Sequence, residues 1–201
     1  MRKITAGMFV ALDGVVQDPQ DWHFPYFNDE MGAAVGAQMD ADTLLMGRVT
    51  YEGFAEAWPA REAEGGEDAF FAGKLGDARK IVVSSQDLEL TWRNSELLRG
   101  NLLEAVAALK AEPGGDIAIS GSVSVVRQLL AAGLLDELHL LVHPIVVGKG
   151  MRLFDSGGTL SLELLSSTTF TTGVVHLVYR RAETGGAGGY EQAKAHMPAG
   201  D

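Results

Sequence analysis

The chain has 201 residues, 46% hydrophobic and 21% charged, which suits one soluble domain with a substantial core. It holds no cysteine, so disulfides, thiolate metal ligands and cysteine nucleophiles are excluded, and a reducing cytoplasm is the expected location. A net charge of −11 argues against nucleic acid, whose phosphates demand a basic surface, but leaves room for a phosphorylated small molecule held by a few placed groups.

Residues 2–12 read as a buried strand: the apolar run after the basic start closes at Asp13 and carries no small-residue cleavage site. No stretch approaches the roughly 18 apolar residues of a membrane helix. Residues 13–28 are irregular, with Pro19 and Pro25 among the aromatics Trp22, Phe24, Tyr26 and Phe27. Asn28 or Asp29 caps a helix reaching about Met39. A short strand at 43–46, a helix at 49–58 and a surface loop at 60–68 follow, then a helix at 69–75 and a strand at 80–84. Residues 87–100 are mixed, with a short strand at 96–98, before a helix at 102–110 that ends at a Pro-Gly-Gly stop. A strand at 117–119 enters Gly121, and a helix runs from Ser122 to about Ala132 with Gly133 as its stop.

The last third changes character. Residues 137–147, 160–170 and 173–181 carry strand patterns, with Thr172-Gly173 as the turn between the last two. Parallel crossovers followed by an antiparallel hairpin predict a mixed, mostly parallel sheet with helices on both faces, a three-layer α/β/α sandwich over residues 1–181. Residues 182–201 hold four glycines in a short polar run and read as a disordered tail; without them the charge is still −9.

Three segments place small or hydroxyl residues where a strand ends. In LLMGRVTYE, Gly47 admits a ligand to the backbone, Arg48 offers a fork for a phosphate dianion, and Thr50 adds a hydroxyl. IVVSSQD ends in Ser84, Ser85 and Gln86, and IAISGSVSVVRQLL sets Gly121, Ser122, Val123 and Ser124 at a helix start. Each alone is an ordinary turn. Together they predict a phosphate-binding edge at the carboxyl ends of the strands, although the three spaced glycines of a Rossmann fingerprint are missing.

ALDGVVQ, MGRVTYE, VVSSQ and ISGSVSVVRQ, with HPIVVGKGMRLF further on, resemble in order and spacing the dihydrofolate-reductase-like superfamily. The resemblance is closest to stand-alone relatives of the reductase domain of bacterial riboflavin biosynthesis, and it covers about residues 2–181. It implies a dihydrofolate-reductase-like fold, NADPH as cofactor, a small-molecule substrate and a homodimer, which the apolar run 134–147 also suggests. It places the nicotinamide carboxamide at the backbone of Phe9, Val10 and Val16, and the phosphates at Gly47, Arg48 and Thr50, with Arg48 near the 2′-phosphate. Ser84, Ser85 and Gln86 would line adenosine, and Gly121, Ser122, Val123 and Ser124 would cradle the diphosphate. Ser120-Gly121 stands where dihydrofolate reductases carry two glycines.

The implied activity is reduction of 5-amino-6-(5-phosphoribosylamino)uracil or a similar heterocycle. Dihydrofolate reductase is the alternative, and a non-catalytic NADP-binding module is the alternative of another class. Asp29 and Glu30 sit where the resemblance puts a substrate-side carboxylate, against the plainer roles of helix cap and solvated acid. Trp22, Phe24, Tyr26 and Phe27 are candidates to floor a heterocycle pocket, against ordinary core roles. Asp13 reads as a turn residue, and Lys149 and Arg152 as solvated loop charges. His139 and His143 have metal-like spacing but lie in a strand without a carboxylate partner, so no metal site is expected.

Overall fold

A computed structural model describes residues 1–154, 158–183 and Lys194. The tail reading for 182–201 lies, apart from Ala182, Glu183 and Lys194, outside the described residues.

The sheet has eight strands: β1 (Ile4–Ala11), β2 (Thr43–Gly47), β3 (Arg79–Val83), β4 (Ser95–Leu98), β5 (Ile117–Ser120), β6 (Glu137–His143), β7 (Leu162–Thr169) and β8 (Val175–Arg181), in spatial order β4-β3-β2-β5-β1-β6-β8-β7. All neighbouring pairs from β4 across to β6 are parallel, whereas β8 runs antiparallel to both β6 and β7. Among the described residues, five α-helices cover it: α1 (Asp29–Gln38), α2 (Arg48–Glu64), α3 (Ala69–Asp77), α4 (Leu102–Ala111) and α5 (Val123–Ala132). This is the three-layer, mostly parallel sandwich with an antiparallel hairpin that the sequence predicts.

Alternation along each strand sends neighbouring residues to opposite layers. Ile4, Met8, Val10, Leu45, Ile117 and Ile119 meet Val106 and Leu109 of α4 and Val125, Val126 and Leu129 of α5. Leu44, Met46 and Val82 meet Tyr51 of α2 and Leu75 of α3 on the other face. There, too, Met31 of α1 packs with Leu141 and Phe9.

Local chemistry fixes the element ends. The Asn28 side chain, rather than Asp29, caps α1 by accepting the Met31 N–H at 3.0 Å. Asn101 does the same for α4, accepting from Leu103 and Glu104. Gly133 ends α5 in left-handed backbone. The Thr172-Gly173 turn closes with the Gly173 N–H on the Phe170 carbonyl at 2.9 Å.

Two expectations need correction. The loop at 60–68 starts later, because α2 runs through Pro59 to Glu64. The missing proline N–H costs that helix a bond, but its last turn is held within the helix by Arg61 over the Trp58 ring and from outside by Arg93, paired with Glu62 at 2.6 Å. The strand at 137–147 stops at His143, since Pro144 has no N–H to continue a ladder. The apolar run 134–147 supplies β6, which lies inside the sheet between β1 and β8, and exposed leucines stand on β7, at Leu164 and Leu165.

Candidate active site

Because β1 to β6 point the same way, the segments that follow β2, β3 and β5 emerge at one edge of the sheet. Two of them are bonded to each other. The Ser122 hydroxyl accepts the Gly47 N–H at 2.9 Å and donates to Thr50 Oγ1 at 3.1 Å, while Thr50 Oγ1 also accepts the Ser122 N–H at 3.1 Å. Gly121 and Ser122 both take left-handed backbone, with φ of 61° and 52°. A Cβ on Gly121 would stand 3.3 Å from Thr50 Oγ1 on left-handed backbone, so the fold itself favours glycine there.

Among the described residues, no side chain caps α2 or α5. Their first N–H groups, those of Arg48 and Val49 in one helix and Val123 and Ser124 in the other, therefore lack side-chain acceptors at a shared junction. Two positive helix ends side by side favour an anion. Arg48 stands at the rim, its guanidinium in an exposed pair with Glu52 at 2.8 Å, a weak partnership that a phosphate can displace. Val83 of β3 lies beside Gly47 in register, which puts Ser84, Ser85 and Gln86 one strand away. The Ser84 hydroxyl is occupied in its own turn, donating to the Gln86 carbonyl at 3.0 Å and accepting its N–H at 2.9 Å, while Ser85 and Gln86 are exposed.

Next to this junction the sheet opens. The β1–β5 ladder stops at Gly7 and Ser120, yet β1 continues along β6 to Ala11. The Gly7 carbonyl faces β5, accepting the Gly121 N–H at 3.4 Å. Two residues on, the Phe9 backbone faces the same side, past the last residue of β5. Val10, by contrast, turns its backbone to β6 and buries its side chain in the α4–α5 layer. Val16 is buried, with its N–H on the Met151 carbonyl at 2.9 Å. Of the backbone positions singled out in the sequence, Phe9 is the one that faces the gap.

The aromatic loop folds over the α1 side of that gap. Trp22 is buried, its indole N–H on the Gln17 carbonyl at 3.0 Å; Tyr26 is half-buried; Phe24 and Phe27 are exposed. Between them lies His23, which sequence reasoning passed over although it stands inside the Trp-His-Phe-Pro-Tyr-Phe run. Its ring stacks on Phe9 with centroids 4.4 Å apart and planes 11° apart, and it faces His143 edge-on at 6.2 Å. His143, at the end of β6, is wholly buried and meets Phe9, Trp22 and Tyr26 edge-on at 5.2–5.7 Å. Its Nδ1 bonds to the Leu141 carbonyl at 2.8 Å, leaving Nε2 with no partner; His23 Nδ1 is likewise buried and unpartnered. Burial lowers the pKa of both rings, that of His23 to about 4 with His143 adding repulsion, whereas carbonyls at Leu141 and Val10 partly offset the shift of His143.

The carboxylates lie apart from this cluster. Asp29 and Glu30 are both exposed on the first turn of α1. Glu30 ties that turn to the β7–β8 connection, accepting the Thr171 hydroxyl at 2.6 Å, the Thr171 N–H at 2.8 Å and the Asn28 amide at 2.8 Å. These donors, Thr171 foremost, lower its pKa. A proton donor kept protonated by an apolar pocket needs the opposite shift; Oε2 of Glu30 instead ties α1 to the β7–β8 connection. Asp13 ties the turn after β1 to the loop after β6. One of its oxygens accepts the Gly148 N–H at 2.8 Å, the main cause of its lowered pKa, and the other is buried without a partner. Arg152 donates to the Asp13 carbonyl at 2.9 Å, so it belongs to the same tie. His139 is engaged elsewhere, with His176 at 3.1 Å and Glu137 at 3.2 Å.

The chain matches the family model described as the RibD C-terminal domain over residues 2–176. The Bacillus subtilis (strain 168) protein YyaP is 31% identical over 182 residues, covering 89% of this chain and 94% of YyaP. A putative riboflavin biosynthesis protein from Shewanella sp. PV-4 has a similar structure, with TM-score 0.69, 22% identity, and 90% and 99% of the two chains covered. Dihydrofolate reductase from Enterococcus faecalis, complexed with NADP(H) and RAB-propyl, shares the fold at TM-score 0.59 and 16% identity, over 90% and 97% of the chains. No helix among the described residues is long and apolar enough to cross a membrane.

Proposed function

The chain belongs to the RibD C-terminal domain family, and on that premise we propose that it is an NADPH-dependent reductase of a small flat heterocycle. The observation that carries this reading is the junction of α2 and α5, two helix starts without side-chain caps, locked together through Gly47, Thr50 and Ser122. A diphosphate fits such a place, with the N–H groups of Val123 and Ser124 and those at the start of α2 as donors. Arg48 at the rim suits the 2′-phosphate that separates NADPH from NADH. Ser85 and Gln86 lie on the adenosine side with Ser84 shaping their turn, and the Phe9 backbone offers a donor and an acceptor to the carboxamide.

When bound, the cofactor supplies the hydride. The protein's part is to fix the reacting rings against one another, keep water out with the 13–28 loop, and hold a proton or an ordered water near the acceptor. Among substrates, 5-amino-6-(5-phosphoribosylamino)uracil is the first choice, since it joins a flat ring to a phosphate and the family takes its name from riboflavin synthesis.

The experiment is NADPH oxidation by the purified chain against a panel of flat lactam heterocycles, with and without a ribosyl phosphate. Turnover of at least one member supports the reductase reading. Tight NADPH binding with no turnover across pyrimidines, pterins and small carbonyls would replace it with a non-catalytic binding module.

A further inference from the structure

A histidine retained only for packing normally has partners for its ring nitrogens, because a buried unpaired polar atom costs stability. His139 meets that standard, with one nitrogen near His176 and the other near Glu137. His143 and His23 do not. His143 Nδ1 carries the proton that it gives to the Leu141 carbonyl, so in the neutral ring Nε2 presents a lone pair. That lone pair is buried in a box of Phe9, Trp22, Tyr26 and His23 rings and accepts nothing. His23 in turn brings a flat heteroaromatic ring onto the Phe9 face, nearly parallel to it, and buries an unpaired nitrogen in doing so. The Phe9 backbone is the one that faces the gap past β5.

Building on the reductase reading, we propose that the position held by the His23 imidazole is the subsite of the substrate's heterocycle, and that His143 Nε2 recognises it by accepting a ring N–H. In the free chain His23 stands in for that ring. A ligand ring entering there takes over the stack on Phe9, and a ring N–H pairs the lone pair on His143. His23, released to the surface beside the exposed Phe24 and Phe27, regains water for its own nitrogen. The chemistry selected is a flat ring bearing an N–H donor in its plane, as in a lactam of the pyrimidine or pteridine kind. A flat hydrocarbon, or a ring with every nitrogen alkylated, leaves the lone pair unpaired and is disfavoured.

The test uses lumazine, a flat pteridine dione with ring N–H groups, and 1,3-dimethyllumazine, which has none. Both are titrated into the full chain by calorimetry, with and without NADPH. Lumazine should bind about tenfold more tightly, the worth of one buried hydrogen bond, and His143→Phe should abolish that difference. His23→Ala should tighten lumazine several-fold by clearing the subsite. In the unaltered chain labelled with ¹⁵N-histidine, lumazine should shift the His143 Nε2 resonance and the dimethyl compound should not, which decides the matter even if His143→Phe fails to fold. Absence of lumazine binding, equal affinity for the two probes, an unmoved Nε2 resonance, or weaker binding by His23→Ala overturns the subsite. A chain that binds lumazine in this way but not NADPH keeps the subsite and loses the reductase reading.

Discussion

The Gly47 N–H and the Ser122 hydroxyl meet at 2.9 Å, 75 residues apart in sequence, and so join the end of β2 to the turn after β5. Thr50 completes the junction from the first turn of α2. Hydroxyls that looked available for a ligand are thus largely spent on one another. What they build is a rigid pair of helix starts whose backbone N–H groups are left for the ligand.

Thr50→Val should expose the importance of that arrangement. It keeps the shape but leaves the buried Ser122 N–H without its acceptor, for a loss of roughly 1–3 kcal/mol. Denaturant melts should show the loss, NADPH affinity should fall with it, and Thr50→Ser should restore most of both.

Gly121 answers to the fold before it answers to any ligand. Its φ of 61° and the 3.3 Å approach to Thr50 Oγ1 mean that Gly121→Ala should destabilise the chain by roughly 1–2 kcal/mol in the absence of cofactor. A melt unchanged from the parent would show that the turn relaxes freely. Gly121→Val is therefore a poor probe of the diphosphate alone.

Glu30→Gln should leave turnover near the parent level on a verified substrate while lowering thermal stability at pH 7. The folded-state pKa of Glu30 is below its unfolded value, so its contribution is present above the unfolded value and fades as the pH falls through the folded one. The stability gap between parent and variant should accordingly shrink in acid. A large loss of turnover without loss of stability would return Glu30 to the chemistry.

His23 bends the acid limb of the stability curve. Its folded pKa is about 4 against 6.5 for a free ring, so between those values the unfolded chain binds the extra proton. Stability from this ring is whole above pH 6.5 and is lost as the pH falls toward 4, by on the order of 2 kcal/mol. His23→Phe should flatten that part of the profile in urea melts taken between pH 7 and 4.

Much of this was legible in the sequence, because strand alternation, caps and turn residues are local signals. The order of elements, the Thr172-Gly173 turn, and the emergence of Gly47, Ser84 and Gly121 at one edge all follow from patterns within a few residues. What escaped depends on partners far along the chain. Glu30 reads as a free acid until Thr171, 141 residues later, is beside it. Nothing near Lys80 in the sequence marks it as buried, yet it is fully buried, donating to the Gly76 and Ala78 carbonyls over Trp92, and desolvation lowers its pKa to about 8. Nothing local separates His23 from the four aromatics around it; the stack on Phe9 gives it a position.

The central claim is that the Gly47–Ser122 junction and Arg48 hold NADPH, and a calorimetric titration of the chain with NADPH and NADH tests it most directly. The account predicts saturable binding of one NADPH per chain, weaker NADH binding, and a smaller difference between the two in Arg48→Ala. Equal affinity for both cofactors would remove Arg48 from the 2′-phosphate, and the absence of any NADPH binding would contradict the account as a whole.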